Sequence, residues 1–280
     1  MPAPPKSPRI AIVIPTANPE REPGRTAIAQ ARKTTAHLNV SFHIIQSSGP
    51  EFRFSRSVNR GIREAPDADY WVLLNDDAFM DEGWLDAMVE TARCHPNVGV
   101  VGAVLRFPKG RIQHGGGYMM KPVRYFFYNT FGNMAPFWAI RSIIASIRRG
   151  VPYFGHYRRI HPRQRLDFVT GANMLITKEC RARIGDYDED FEFSYEDVDY
   201  CLRALDAGLE IALATDARGI HLQRATGGGL KAEVMRSLKV FDRRWSRDRV
   251  LSLTRKDGRR GVYHGSGMAC GCGAGADGKS

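Results

Sequence analysis

Asn75, Asp76 and Asp77 follow the apolar run Tyr70–Leu74 without a spacer. A buried strand ending on two carboxylates holds them rigidly at the rim of a sheet. Hard oxygen donors so placed suit Mg²⁺ or Mn²⁺ bridging a diphosphate. Asp also begins turns well, so a turn-forming role stands beside the metal reading. A second acidic group, Glu196-Asp197-Val198-Asp199, opens a helix. Ser194 and Asp197 match a capping box, and acids at a helix N-terminus are favoured by its dipole. Val198, Cys201, Leu202 and Leu205 make the core stripe of that helix, which points Glu196, Asp199 and Tyr200 elsewhere. Capping does not account for Asp186, Asp188, Glu189, Asp190 and Glu192 just upstream. Such crowding costs repulsion unless a cation or a substrate sits nearby. His221 follows a short apolar run and is either a structural histidine or, near carboxylates, a metal ligand. Arg218 and Arg224 either hold phosphate oxygens or lie in solvent. Cys270-x-Cys272 is too isolated for a zinc site. Gly115–Gly117 is no dinucleotide fingerprint, since no helix follows it in the right place.

The elements needed to position these groups are legible in the first half. Ile10–Ile14 is a β-branched run of the kind that makes a buried parallel strand, and it stops at Pro15-Thr16. A helix is expected over 26–37, a strand over 40–45 ending in Gln46-Ser-Ser-Gly49, a helix over 55–64 and a strand over 70–74. Asp81 is read as the cap of a helix over 83–93, and 98–105 as a fourth strand. Alternation at this rhythm predicts an open α/β sheet, with the ligand beyond the carboxyl ends of its strands. Thr16, Gln46 and the Asn-Asp-Asp all stand at such ends. Further on, 168–176 is regular, 196–207 is a helix closed by Gly208, 211–214 is a short strand, and a basic helix runs from about 231 to 245.

The chain has 280 residues, 43% hydrophobic and 25% charged, which fits a soluble globular protein with a sizeable core. Its net charge is +11, unevenly spread. Thr91–Leu166 holds 13 Lys and Arg and no acid, whereas eight of the 14 residues Asp186–Asp199 are acidic and none is basic. The basic stretch points to an anionic partner: phosphate, lipid headgroups or nucleic acid. Within it, Phe137–Arg149 has helical period, with Phe137, Ile140, Ile144 and Ile147 on one face. That segment either packs on the sheet or lies in a membrane interface. No apolar run approaches the roughly 20 residues needed to span a bilayer, and no apolar leader follows Met1. Five scattered cysteines give no disulfide framework, which predicts a reducing, cytoplasmic setting. The expected organisation is a flexible lead-in over 1–8 and one domain over 9–250. That domain comprises a nucleotide-binding half (9–114), a basic aromatic insertion (115–166) and an acceptor and catalytic half (167–250). A disordered tail over 251–280 follows.

The order of these motifs resembles the family 2 glycosyltransferases, inverting enzymes of the GT-A fold. The likeness is carried by Ile10-Ala-Ile-Val-Ile-Pro-Thr16, Leu73-Leu-Asn-Asp-Asp-Ala78, Val169–Ile176 and Phe193–Arg203, with His221 where that family often keeps a His. Val98–Gly102 and Gly110–His114 are similar to its rhamnosyltransferase-like branch. The resemblance covers about 9–229. It implies α/β architecture, with a mostly parallel Rossmann-like open sheet flanked by helices. It also implies transfer of a hexosyl or deoxyhexosyl group from a nucleoside-diphosphate sugar, UDP or dTDP, to a hydroxyl on a glycan or lipid-linked acceptor. Asp197 matches the base, with Glu196 beside it. Asp77 and His221 match the metal contacts for Mn²⁺ or Mg²⁺. Pro15, Thr16, Asn18, Gln46, Asn59, Asn75, Asp76, Gly171, Ala172 and Arg224 are the implied nucleotide-sugar contacts. Two departures remove a negative charge near the nucleotide. Gln46-Ser-Ser stands where the family commonly has an Asp, and Asn75 takes the first place of its Asp-x-Asp.

Three other readings are open on the residues. A sugar-phosphate nucleotidyltransferase shares the sheet, but Pro15–Arg21 offers no glycine-rich phosphate loop with Lys. A basic nucleic-acid-binding protein fits the charge, but Asp186–Asp199 would repel a phosphate backbone, and no nucleic acid is expected. A non-catalytic member is the third. Polysaccharide or glycolipid synthesis is the expected setting, on the cytoplasmic side and peripheral to an anionic inner membrane face.

Overall fold

The computed structural model describes residues 7–49, 52–120, 153–162, 164–222, 231–254 and 261–266. In chain order the first half comprises β1 (Ile10–Thr16), α1 (Gly24–Thr34), β2 (Val40–Gln46), α2 (Phe54–Glu64), β3 (Tyr70–Leu74), β4 (Ala78–Met80), α3 (Trp84–Cys94), β5 (Val98–Arg106) and β6 (Ile112–His114). There follow β7 (Gly117–Met120), β8 (Tyr153–His156), β9 (Asn173–Thr177), α4 (Lys178–Ile184), α5 (Glu196–Asp206), β10 (Glu210–His221), α6 (Lys231–Arg244), α7 (Arg247–Thr254) and β11 (Val262–His264).

The main sheet runs β11-β10-β5-β9-β3-β1-β2, with β4 on β10 and β6 on β5. Neighbours are parallel except β9, which lies antiparallel between β3 and β5, and the two short strands β4 and β6. This is the mixed, mostly parallel α/β sheet of the GT-A fold. Its inner strands β1, β3, β5 and β9 are buried on both faces, as strands covered by helices must be. Along β1 the period of two is plain. Ile10, Ile12 and Ile14 face a core shared with α1 and α3, through Ile28, Trp84 and Met88. Ala11 and Val13 face the other core, with Val58 and Ile62 of α2, Val198 and Leu202 of α5, and Phe241 and Trp245. β7 and β8 form a separate antiparallel hairpin, tied to the body by a bridge from Gly117 to Phe168.

Several expectations change. The strand read as 211–214 is 12 residues long and shifts register between Ala214 and Arg218. That irregularity lets it pair with β5 and then reach β4, carrying His221 to the rim. α3 begins at Trp84 with Gly83, left-handed at φ 74°, as its N-cap; Asp81 does not cap it and instead pairs with Arg106 at 2.5 Å. Part of the expected tail is ordered, because α7 buries Leu253 and Thr254 and β11 adds a parallel strand to β10. Cys180 and Cys201 are buried free thiols. The expected helix over 137–149 lies outside the described residues. Among those described, no helix is long and apolar enough to cross a membrane.

Candidate active site

β1, β3 and β10 all end on one rim of the sheet, and the turn before β9 and the start of α5 close it. They enclose a crevice of about 470 Å³. Its walls are Pro15, Thr16 and Ala17 after β1, Ser47–Gly49 after β2, Phe52 and Phe54, and Asn75–Asp77 after β3. Thr170–Ala172, Phe193, Ser194, Glu196, Asp197 and His221 complete them. Most of the residues singled out in the sequence therefore meet.

On one wall Asp76 and Asp77 are 6% and 3% exposed. Asp76 accepts the hydroxyl of Thr16 at 2.6 Å, which couples the ends of β1 and β3. Burial is the main force raising the Asp76 carboxyl, with the charge of Asp77 adding to it and the Thr16 bond opposing. Asp77 Oδ1 lies 3.0 Å from Nε2 of His221, and the Asn75 amide lies 3.3 Å from the same nitrogen. The other ring nitrogen, Nδ1, is 2.7 Å from Gln113 Oε1, while Gln113 Nε2 donates to the His221 carbonyl at 3.2 Å. That second bond fixes which end of the amide faces the ring. Nδ1 therefore carries a proton, and Nε2 is the nitrogen turned on Asp77. An imidazole nitrogen and a carboxylate oxygen 3.0 Å apart hold either a proton or a cation between them. Among the described residues no three His, Cys, Asp or Glu side chains gather as a closed metal cage. Two protein donors on an open rim fit a Mg²⁺ or Mn²⁺ whose other ligands are phosphate oxygens and water.

On the opposite wall the chain enters α5 through Ser194 and Tyr195, both left-handed at φ 71° and 72°. Two consecutive non-glycine residues in that region store strain, which is common where a site must be held. The helix has no side-chain cap, so the expected Ser194–Asp197 box is absent. Instead the Asp197 carboxylate accepts the Gly171 amide at 3.1 Å and its neighbour Val198 at 2.8 Å. Burial raises both Asp197 and Glu196, the latter to about 8 with the charge of Asp197 adding to it. The amide bonds favour charge on Asp197, whereas burial of Glu196 Oε2 without a partner favours the proton on Glu196.

Other expected contacts fall elsewhere. Asn18 accepts the Glu20 amide in a local turn. Gln46 is exposed and reaches the Ala17 carbonyl at 3.4 Å, off the crevice wall. Asn59 is 2% exposed and spends its amide on Tyr187 and Glu189. Arg218 bonds the Thr215 carbonyl and Asp216. Arg224 lies outside the described residues. Asp199 and Tyr200 do not point away from the core, since both are 0% exposed. The acidic run needs no cation, because arginines meet it: Arg63 and Arg181 at Asp186, Arg56 and Arg63 at Glu189, Arg236 at Glu192 and Arg244 at Asp188. Sequence reasoning missed Gln113 and Thr170 as site residues. Both nevertheless lie in stretches that carry the resemblance, Gly110–His114 and Val169–Ile176.

A family model described as "Glycosyltransferase like family 2" matches residues 8–248. The chain belongs to glycosyltransferase family 2. This family 2 chain is 32% identical over 154 residues to the O-antigen biosynthesis protein RfbC of Myxococcus xanthus, covering 55% of its own length and 11% of that protein. It is 24% identical over 185 residues to an N-acetylglucosaminyl-diphospho-decaprenol L-rhamnosyltransferase of Mycobacterium tuberculosis, covering 62% of the chain and 57% of the relative. In fold it is similar to GalNAc-T7, solved with UDP, GalNAc and Mn²⁺. That match has a TM-score of 0.50 and 12% identity, and covers 85% of this chain and 48% of the other.

Proposed function

We propose that this chain is an inverting glycosyltransferase that moves a sugar from a nucleoside-diphosphate sugar to a hydroxyl. The observation that carries the reading is the pairing of two unlike walls across one crevice. Asp77 faces His221 on one side, and Asp197, held by backbone amides, lies on the other.

In this reading Asp197 accepts the proton of the acceptor hydroxyl as its oxygen bonds the anomeric carbon. The bond to the diphosphate breaks on the opposite face, through an oxocarbenium-like state, and the configuration inverts. A divalent cation, Mn²⁺ or Mg²⁺, held by Asp77 and His221 would neutralise charge on the departing diphosphate. Glu196 keeps its proton near neutral pH and so donates a hydrogen bond to a substrate oxygen rather than acting as a second base. Asp76, tied to Thr16, holds the end of β1 where Pro15 and Thr16 meet the nucleotide. The donor is a UDP- or dTDP-sugar. The names of the bacterial relatives support a glycan or lipid-diphosphate-linked acceptor in surface polysaccharide synthesis, with an anionic membrane surface as the place of work.

The test is a panel of UDP-, dTDP- and GDP-sugars with Mn²⁺, read as released nucleotide, with and without lipid-linked acceptors. Turnover of one donor is expected, lost in Asp77→Ala. Asp197→Asn should lose transfer while still binding nucleotide. Failure of every donor to bind would overturn the reading.

A further inference from the structure

The last two residues of β6 serve opposite walls of the crevice. Gln113 holds His221. His114 turns to the segment before β9, where its Nε2 lies 3.2 Å from the Thr170 amide nitrogen. Its Nδ1 lies 2.8 Å from Nδ1 of His156 at the end of β8, and both rings pack against Phe168. The directions of these bonds follow from the chemistry of the groups. An amide N–H only donates, so Nε2 of His114 carries the lone pair and Nδ1 the proton. That proton is donated to His156 Nδ1. Burial keeps both rings neutral, holding His156 down at about 4 and His114 well below its ordinary value.

The segment receiving this bond is the one that holds Asp197. The Gly171 amide donates to the carboxylate at 3.1 Å, and the Thr170 hydroxyl bonds it too. On the other side, His156 pairs with Gly117 in the β7–β8 hairpin, whose strands bracket residues 121–152 in the sequence. A continuous path thus runs from that hairpin through two imidazoles and one turn to the base.

We propose that His114 and His156 are positioning residues: through the Thr170–Gly171 turn they fix the Asp197 carboxylate, so that the β7–β8 hairpin governs the acceptor step and not the binding of the donor. The proposal rests on Asp197 being the base.

The test uses the full chain. His114→Gln keeps an acceptor near the Nε2 position, whereas His114→Asn reaches only His156. His156→Asn keeps an acceptor for His114, whereas His156→Leu removes it. In His114→Asn and His156→Leu, kcat for transfer should fall about 10- to 100-fold, since small displacements of a reacting group are costly. Nucleotide affinity and donor KM should stay within about twofold, and His114→Gln and His156→Asn should recover kcat to within about threefold. Hydrogen–deuterium exchange of the peptide containing Thr170 and Gly171 should quicken only in the two damaging variants. Wild-type kcat and exchange in both would overturn the proposal, as would a parallel loss of donor affinity in all four. Should the wild type transfer no sugar, the proposed reaction falls separately, and unchanged exchange in the damaging variants would overturn the positioning role.

Discussion

Gln113 grips His221 twice, through Nδ1 at 2.7 Å and through the backbone carbonyl at 3.2 Å. The ring is thereby locked with Nε2 toward Asp77. A side chain on an edge strand that never lines the crevice so decides what one crevice wall can bind. Gln113→Leu keeps the bulk and removes both bonds. Mn²⁺ affinity in the presence of nucleoside diphosphate should drop about 10- to 100-fold, as for other partners that orient a ligand. Calorimetry reads it, and an unchanged affinity would mean that the tautomer is set elsewhere.

Asn59 was expected at the nucleotide, yet it is a latch between α2 and the segment before α5. Its amide donates to the Tyr187 carbonyl and Glu189, and its oxygen accepts the Tyr187 amide at 2.8 Å. Asn59→Ala leaves a buried N–H and C=O unmet, which costs about 1–3 kcal/mol. Urea denaturation should show that loss, with nucleotide affinity unaltered. A large loss of nucleotide binding at unchanged stability would return Asn59 to the site.

These two residues mark what one dimension carries and what it does not. Local patterns told where β1 and β3 run, because β-branched apolar runs signal doubly buried strands. Carboxylates placed directly after β3 and at the start of α5 were legible for the same reason: their position in the sheet follows from the elements alone. Partnerships between distant segments were not legible. Asp199 reads as lying off the core stripe of its helix because its partners Arg244 and Trp245 lie on and just beyond α6. The acidic run suggested a cation, because nothing local announced that arginines of α2, α4 and α6 would fold against it. β11, three residues amid Gly and Arg, has too little pattern to stand out.

Glu196 makes stability depend on pH. Burial lifts its carboxyl from 4.5 to about 8, so the folded chain holds this proton more tightly than the unfolded one. The stability so gained is whole below about pH 4.5 and is lost as pH rises toward 8. Asp197 shifts in the same direction and Asp199 adds repulsion, which deepens the fall. Glu196→Gln preserves shape without a titrating group. Its unfolding free energy should decline less than that of the wild type across this window, the gap at the upper end being on the order of a few kcal/mol. Parallel profiles for the two proteins would show that Glu196 ionises freely in the folded state.

Asp199 is the one acid of the Glu196–Asp199 group turned fully inward. Its two oxygens take Trp245 Nε1 at 2.8 Å, Arg244 at 3.0 Å and Arg203 at 2.9 Å, and it is 0% exposed. A buried carboxylate between two guanidinium groups is costly to form, but removing it alone strands its partners. Asp199→Asn should therefore destabilise the chain by about 3–5 kcal/mol, as breaking a buried pair does. Arg203 and Arg244 keep other contacts, with the Ile184 carbonyl and Asp188. Part of the loss is thereby buffered, and Asp199→Leu, which also removes the acceptor for Trp245, should cost more. Denaturant midpoints for the two variants decide it. Values equal to the wild type would place Asp199 in solvent and α6 free of α5.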